Sequence, residues 1–223
     1  MLKVIISGYG RMGHMVEQQL AHYKDMELVE ASEDIAATEP EVAKDCICID
    51  FTTPDAFRAN YKAIARLFKA AVVGTTGWND IAEDVFAAFR AEGKTLIWAS
   101  NFSIGVNALF AAVSRVCDVL KDKGYTPAIS ETHHIHKLDA PSGTAKSLGT
   151  LVEAHLGAKP EITAYREGEV PGIHTVTLES AVDRLTLTHE AFSREGLAAG
   201  AVIAARMTAD VSGVHEFSEL ILG

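Results

Sequence analysis

Short apolar runs alternate with stretches of helical spacing through the first hundred residues. Leu2 to Ser7 (LKVIIS) has the continuous apolar character of a strand buried on both faces. Gly8 to Gly13 is glycine-rich, and apolar positions from Met12 to about Tyr23 recur at helical spacing. Leu28 to Ala31 and Cys46 to Asp50 (CICID) read as further strands, the latter followed by a helix from about Pro54 to Phe68. Ala71 to Val73 is a strand ending in Gly74-Thr75-Thr76-Gly77. A helix from about Asn79 to Ala91 and a strand from Thr95 to Ala99 follow. Strands alternating with helices predict βα units and a parallel sheet.

The pattern changes near residue 103. A long helix is expected from about Gly105 to Asp122, then a strand from Ala128 to Thr132. A polar, histidine-rich loop runs to Ser142, the expected N-cap of a helix from Gly143 to about His155. His174 to Glu179 and Arg184 to Thr188 alternate with period 2, as antiparallel strands joined by a turn near Ser180 to Asp183. Leu197 to Met207 is an alanine-rich helix, and Leu220 to Leu222 is apolar. The switch of pattern places a domain change near residue 103, after an α/β first part.

Composition narrows the classes. At 48 % hydrophobic residues the 223-residue chain has material for a core. A net charge of −10 argues against nucleic acid or an anionic membrane as partner. The charge is uneven. Residues 25–45 hold eight acids against Lys44, or 1 − 8 = −7, which reads first as a solvated face. No apolar stretch is long enough for a membrane span, and the N-terminus lacks a signal-peptide pattern, so a cytoplasmic protein is expected. Cys46, Cys48 and Cys117 read as buried free thiols, with Cys46 and Cys48 expected on opposite sides of their strand.

Gly8-Tyr9-Gly10-Arg11-Met12-Gly13 is a G-x-G-x-x-G sequence between a strand and a helix. The glycines permit a tight turn, backbone approach to a pyrophosphate, and close helix–strand packing. The helix N-terminus offers N–H donors to the anion. An acid about 20 positions on should contact the adenosine ribose. Glu30, Glu33 and Asp34 are candidates, with Glu33 preferred; Arg11 is the nearest cation for a phosphate. Gly93-Lys94-Thr95 echoes the end of a phosphate-binding loop, but its first glycine would fall at Ala88, which excludes a nucleoside triphosphatase.

Residues 131–144 (ETHHIHKLDAPSGT) form the densest polar cluster. Three readings stand side by side. It can be an exposed loop and turn. His133 and His136 can offer two zinc ligands, though no third is well spaced, so no metal is expected. Or His133 and Lys137 can exchange protons while Ser142-Gly143-Thr144 holds an anion at a helix start.

The chain resembles the 4-hydroxy-tetrahydrodipicolinate reductase (dihydrodipicolinate reductase) family along nearly its whole length. The resemblance lies in GYGRMG at 8–13, DFTTP at 50–54, GTTG at 74–77 and SNFSIGVN at 100–107. It continues in ETHHIHKLDAPSGTA at 131–145, REG at 166–168, GIHTV at 172–176, LTHEAFSR at 187–194 and GAVIAA at 200–205. It implies an α/β architecture, with a Rossmann-type dinucleotide-binding domain of residues 1–103 with 195–223 and a smaller α+β substrate-binding and tetramerisation domain of residues 104–194. It implies His133 and Lys137 as catalytic residues, and His134, Ser142, Gly143 and Thr144 as substrate-binding ones. For the cofactor it implies Gly8, Tyr9, Gly10, Arg11, Met12, Gly13, Glu33, Gly74, Thr75, Thr76, Ala99, Ser100, Asn101 and Phe102. The implied reaction is hydride transfer from NADH or NADPH to a cyclic imine dicarboxylate, giving tetrahydrodipicolinate in lysine and diaminopimelate biosynthesis, by a homotetramer.

The chain departs from many relatives at Asp34, where they carry an arginine after the ribose-contacting acid; this favours NADH. It is also short for the family between Asp34 and Asp45. A different two-domain nicotinamide enzyme, such as an aspartate or semialdehyde dehydrogenase, is the alternative, as is a dinucleotide-sensing module. The sensor would leave the His133–Lys137 cluster without a use. His174 and His189 read as packed strand histidines, Arg194 as a hinge, substrate contact or ion-pair residue, and Trp78 and Trp98 as core.

Overall fold

The computed structural model describes residues 1–222. It divides into two compact units, one of Met1–Ser103 with the segment from Glu195 onward, the other of Ile104–Arg194.

In the first unit, β1 (Leu2–Ser7) leads through the glycine turn into α1 (Arg11–Leu20) and β2 (Met26–Ser32). Residues 33–45 then return to β3 (Cys46–Asp50) with only a 3₁₀ turn and the one-turn α2 (Pro40–Ala43). After them come α3 (Pro54–Leu67), β4 (Ala70–Val73), α4 (Ala82–Ala91) and β5 (Thr95–Trp98). The sheet is parallel throughout, and its last strand, β10 (Val214–Glu216), comes from the returning C-terminal segment. The order is β10-β5-β4-β3-β1-β2.

Period-2 alternation makes this sheet the wall between two cores. Val4, Ile6, Ile47, Ile49 and Val72 face a layer with Val16 and Leu20 of α1 and the alanines of α7 (Glu195–Met207). Ile5, Cys46, Cys48, Ala71 and Leu96 face Phe57, Ile64, Val85 and Phe89 of α3 and α4. Cys46 and Cys48 therefore share one side, contrary to the opposite sides expected, because residues two apart on a strand point the same way. All three cysteines are buried free thiols.

The second unit begins with α5 (Ile104–Leu120). It continues with β6 (Thr126–His133), α6 (Gly143–Leu156), β7 (Glu161–Arg166), β8 (Gly172–Glu179) and β9 (Arg184–Ala191). The sheet order is β7-β6-β8-β9, with β6 parallel to β7 and antiparallel to β8. Leu109, Val113, Leu148 and Val152 of α5 and α6 pack on Ile129, Val176 and Leu178. On the other sheet face Thr175 pairs across to Thr188, their hydroxyls 3.1 Å apart, and Thr186, Thr188 and Glu190 are exposed.

The sequence reading did not anticipate β7, β10 or α8 (Phe217–Leu222). β10 has three residues, β7 (EITAYR) carries charge at both ends, and both lie at sheet edges, so neither offers a continuous apolar run.

Candidate active site

The order β2-β1-β3 makes the β1/β3 junction the switch point of the first sheet, where α/β folds bind ligands beyond the strand C-terminal ends. The loops after β1, β3, β4 and β5 contain Gly8–Gly13, Phe51–Thr53, Gly74–Thr76 and Ala99–Phe102. All the cofactor residues expected from sequence except Glu33 lie in these loops and the start of α1. Glu33, just past β2, reaches the glycine turn, where its Oε1 accepts from the Tyr9 N–H at 3.2 Å.

The turn needs its glycines for distinct reasons. Gly8 has φ +85°, and a Cβ there would stand 2.8 Å from Thr52 Cγ2 and 2.9 Å from the Phe51 carbonyl. A Cβ on Gly13 would lie 2.4 Å from the Gly8 carbonyl oxygen. Gly10 is the opposite case. It is the N-cap of α1, has no side-chain cap, and nothing lies within 4 Å of a Cβ placed on it. The first turn of α1 carries no acid. Uncapped N–H groups facing open space fit the pyrophosphate of a dinucleotide.

Asp50, fully buried at the end of β3, ties three of these loops. It accepts from Ser7 Oγ at 2.6 Å, Thr75 Oγ1 at 2.5 Å and Thr52 Oγ1 at 3.0 Å, while the Thr52 N–H reaches Thr75 Oγ1 at 2.7 Å. Burial pushes its carboxyl up, and the hydroxyl donors pull against this. Sequence reasoning did not single out Asp50, although an acid closing an apolar strand was the available signal. Trp78 is core, as expected. It packs on Phe57 and Trp98 and donates to the Thr75 carbonyl at 2.6 Å, pinning the loop after β4.

In the second unit the loop after β6 and the start of α6 bring the expected catalytic and substrate residues together. Ser142 caps α6, its Oγ accepting from the Ala145 N–H at 3.2 Å. Gly143 follows with open space at its Cβ position. Lys137 Nζ pairs with Asp139 Oδ1 at 2.7 Å, which holds the Asp139 carboxyl below its usual range. His134 Nε2 accepts from Arg194 Nη2 at 2.9 Å, so Arg194 belongs to this cluster. His136 lies at the surface, 3.1 Å from Glu169.

Three further residues complete the cluster. Glu131, 1 % exposed, hydrogen-bonds His133 Nδ1 through Oε2. Its Oε1 accepts from the Ser142 N–H at 3.1 Å and from both Nη atoms of Arg166 at 3.2 Å. Burial raises the Glu131 carboxyl, but His133, the Ser142 N–H and Arg166 overcome this and hold it low. Burial lowers His133 against the opposing pull of Glu131. His174 Nε2 lies 3.2 Å from Ser142 Oγ, and burial pushes its imidazole down to about 4. Ligand-type atoms of Glu131, His133 and His174 lie within 4.8 Å of one another. Arg166 already neutralises Glu131, with Lys137 nearby, so this group suits a proton better than a metal cation. It also replaces the His133–His136 pair that sequence spacing suggested.

A parallel sheet with this glycine turn at its switch point, in a chain whose second unit carries an acid–base loop, defines an NAD(P)H-dependent oxidoreductase of Rossmann type. The family model described as dihydrodipicolinate reductase, N-terminus, matches residues 2–102, and that for the C-terminus matches residues 105–221. The chain belongs to the dihydrodipicolinate reductase family.

The 4-hydroxy-tetrahydrodipicolinate reductase of Christiangramia forsetii is 35 % identical over 238 positions, covering 99 % of this chain and 98 % of that one. That of Methanopyrus kandleri is 31 % identical, covering 99 % and 96 %. Among solved structures, the dipicolinate-bound dihydrodipicolinate reductase of Paenisporosarcina sp. TG-14 superposes with a TM-score of 0.78 at 17 % identity, covering 97 % of each chain. The aspartate dehydrogenase of Thermotoga maritima has a TM-score of 0.52 at 15 % identity, covering 95 % of this chain and 97 % of that one. The fold is thus shared with the alternative enzyme weighed from sequence, and the family match separates them.

Proposed function

We propose that this chain reduces a cyclic, unsaturated imine dicarboxylate to tetrahydrodipicolinate, as its relatives' names imply, in a cytoplasmic homotetramer. The observation that carries the reading is the loop after β6. One acid–base imidazole, one ammonium and one capped helix N-terminus come together on it. The nicotinamide cofactor, when bound, supplies a hydride. Gly8–Gly13 would hold its pyrophosphate at the uncapped start of α1, with Glu33 at the ribose. Gly74-Thr75-Thr76 and Ala99-Ser100-Asn101-Phe102 complete the cofactor-binding segments.

Ser142, Gly143 and Thr144 take a substrate carboxylate on helix N–H and hydroxyl groups, helped by His134. Lys137 gives up its pairing with Asp139 to face the anionic substrate and deliver a proton to the reduced ring. His133 exchanges a proton through Nε2, because Nδ1 is engaged by Glu131. Asp34 beside Glu33 would set a second carboxylate against a 2′-phosphate, which favours NADH. The open face of the second sheet, with its threonine pairs, supports assembly through that face.

The test couples the protein to a synthase that makes the substrate and follows nicotinamide oxidation with NADH and NADPH at equal concentration. Turnover is expected, faster with NADH at low concentration. Cofactor binding without turnover would favour the sensor reading instead.

A further inference from the structure

Glu131 does more than touch one histidine. Its carboxylate meets three parts of the cluster at once: the His133 ring, the N-cap of α6 through the Ser142 N–H, and the Arg166 guanidinium. Arg166, at the end of β7, spends its remaining donors on the chain around it. Nε reaches the Lys137 carbonyl at 3.2 Å, Nη2 the Asp139 carbonyl at 2.6 Å, and Nη1 the Tyr165 carbonyl at 2.6 Å. The loop bearing Lys137 is thus held from below by a side chain some thirty residues away. A carboxylate this buried is costly unless every lone pair is used, and here its charge is matched and its bonds are made. On the far side of the His133 ring, a Cβ on Gly172 would stand 3.0 Å from Nε2, so glycine at that position keeps this nitrogen unobstructed.

We propose that Glu131 and Arg166 are positioning residues for the reduction: Glu131 keeps the His133 proton on Nδ1 and presents Nε2 to substrate, and Arg166 fixes the loop that carries Lys137. The proposal rests on the reading of His133 and Lys137 given above. Four groups face His133: Glu131 from β6, Lys137 from the following loop, Arg166 from β7 and His174 from β8. Only Glu131 is an anion, so its charge alone favours the protonated ring.

Glu131→Gln should lower kcat by about 10²-fold with KM changed less than about threefold, since the ring loses its orientation rather than its contact with substrate. The pH limb that reports His133 should move to lower pH. Arg166→Gln should lower kcat, since the Lys137 proton donor is no longer held in place, and should also raise KM for the dicarboxylate by about tenfold, since the same ammonium faces the anionic substrate. If these variants do not fold, ring-nitrogen NMR of the unaltered protein decides the first half. Protonation at Nδ1 with a bare Nε2 is expected, and the reverse tautomer overturns it. For the loop, Arg166→Lys keeps the buried charge and loses the fork to the two carbonyls, so an unchanged KM in a folded Arg166→Lys protein overturns the second half. The underlying reading fails separately, if His133→Gln turns over normally. Loss of turnover in His133→Gln with normal kcat and an unmoved limb in Glu131→Gln sinks this inference alone.

Discussion

At the scale of single residues, the proton chemistry is divided by surroundings. His133 is buried with Nδ1 tied to Glu131, whereas Lys137 is partly exposed and its ammonium pairs with Asp139. His133→Gln and Lys137→Ala should each lower kcat by about 10²-fold or more, measured in the coupled assay, because the proposed reduction uses each as a proton-transfer group. His174 makes a different prediction. Its folded-state value near 4 lies below the ordinary 6.5. The unfolded chain therefore takes up a proton through that window while the folded chain does not, so stability is complete above about 6.5 and falls as pH drops toward 4. At about 1.4 kcal/mol per pH unit the loss approaches about 3 kcal/mol. Urea midpoints taken from pH 7.5 to 4.5 should fall less steeply in His174→Asn than in the parent.

Elements set where those residues can stand. Gly200 of α7 would place a Cβ 1.8 Å from the Phe102 carbonyl oxygen, so the helix lies directly on the segment after β5. Gly200→Ala should cost at least about 2 kcal/mol in urea unfolding. Gly10→Ala meets no protein atom and should stay within about 1 kcal/mol of the parent, yet bind NADH at least about tenfold more weakly by fluorescence titration. The connection from β2 to β3 makes a related point. The alignment with the Christiangramia forsetii relative runs over 238 positions against the 223 residues here, and residues 33–45 contain no full-length helix. Asp34→Arg in that connection should shift the NADPH-to-NADH ratio of kcat/KM toward NADPH, and an unchanged ratio would count against Glu33 as the ribose contact.

At the scale of the whole molecule, the excess acid belongs to the first unit and the histidine-rich loop after β6 to the second. Residues 25–45 carry seven of the ten net negative charges. Several of these acids are locally engaged: Asp25 with Arg206 at 2.8 Å, Glu41 with Lys44, and Glu33 with the Tyr9 N–H. The loop after β6 instead carries Lys137 and is bonded by Arg166 at the Lys137 carbonyl and by Arg194 at His134, which suits a dianion in an acidic protein. Among the described residues no helix is long and apolar enough to cross a membrane. If the open face of the second sheet is the assembly surface, Thr175→Arg should shift the sedimenting species from tetramer to smaller forms. A tetramer unaffected by that charge would place the interface elsewhere.

The sequence by itself determined what depends on neighbours along the chain. Strand and helix periods, the glycine turn, the Ser142 cap and the grouping of His133 with Lys137 all follow from spacings of a few residues. The resemblance then extended those local readings to a family. Tertiary structure decided what depends on register between distant segments. Asp50 meets Thr75 because β3 and β4 end together, and Glu131 meets Arg166 because β6 and β7 pair in parallel with α6 between them. No local period marks a buried carboxylate as paired, since its partner lies 35 residues away. The same reason hid β7 and β10, whose place as strands comes from the edges they complete rather than from an apolar pattern of their own.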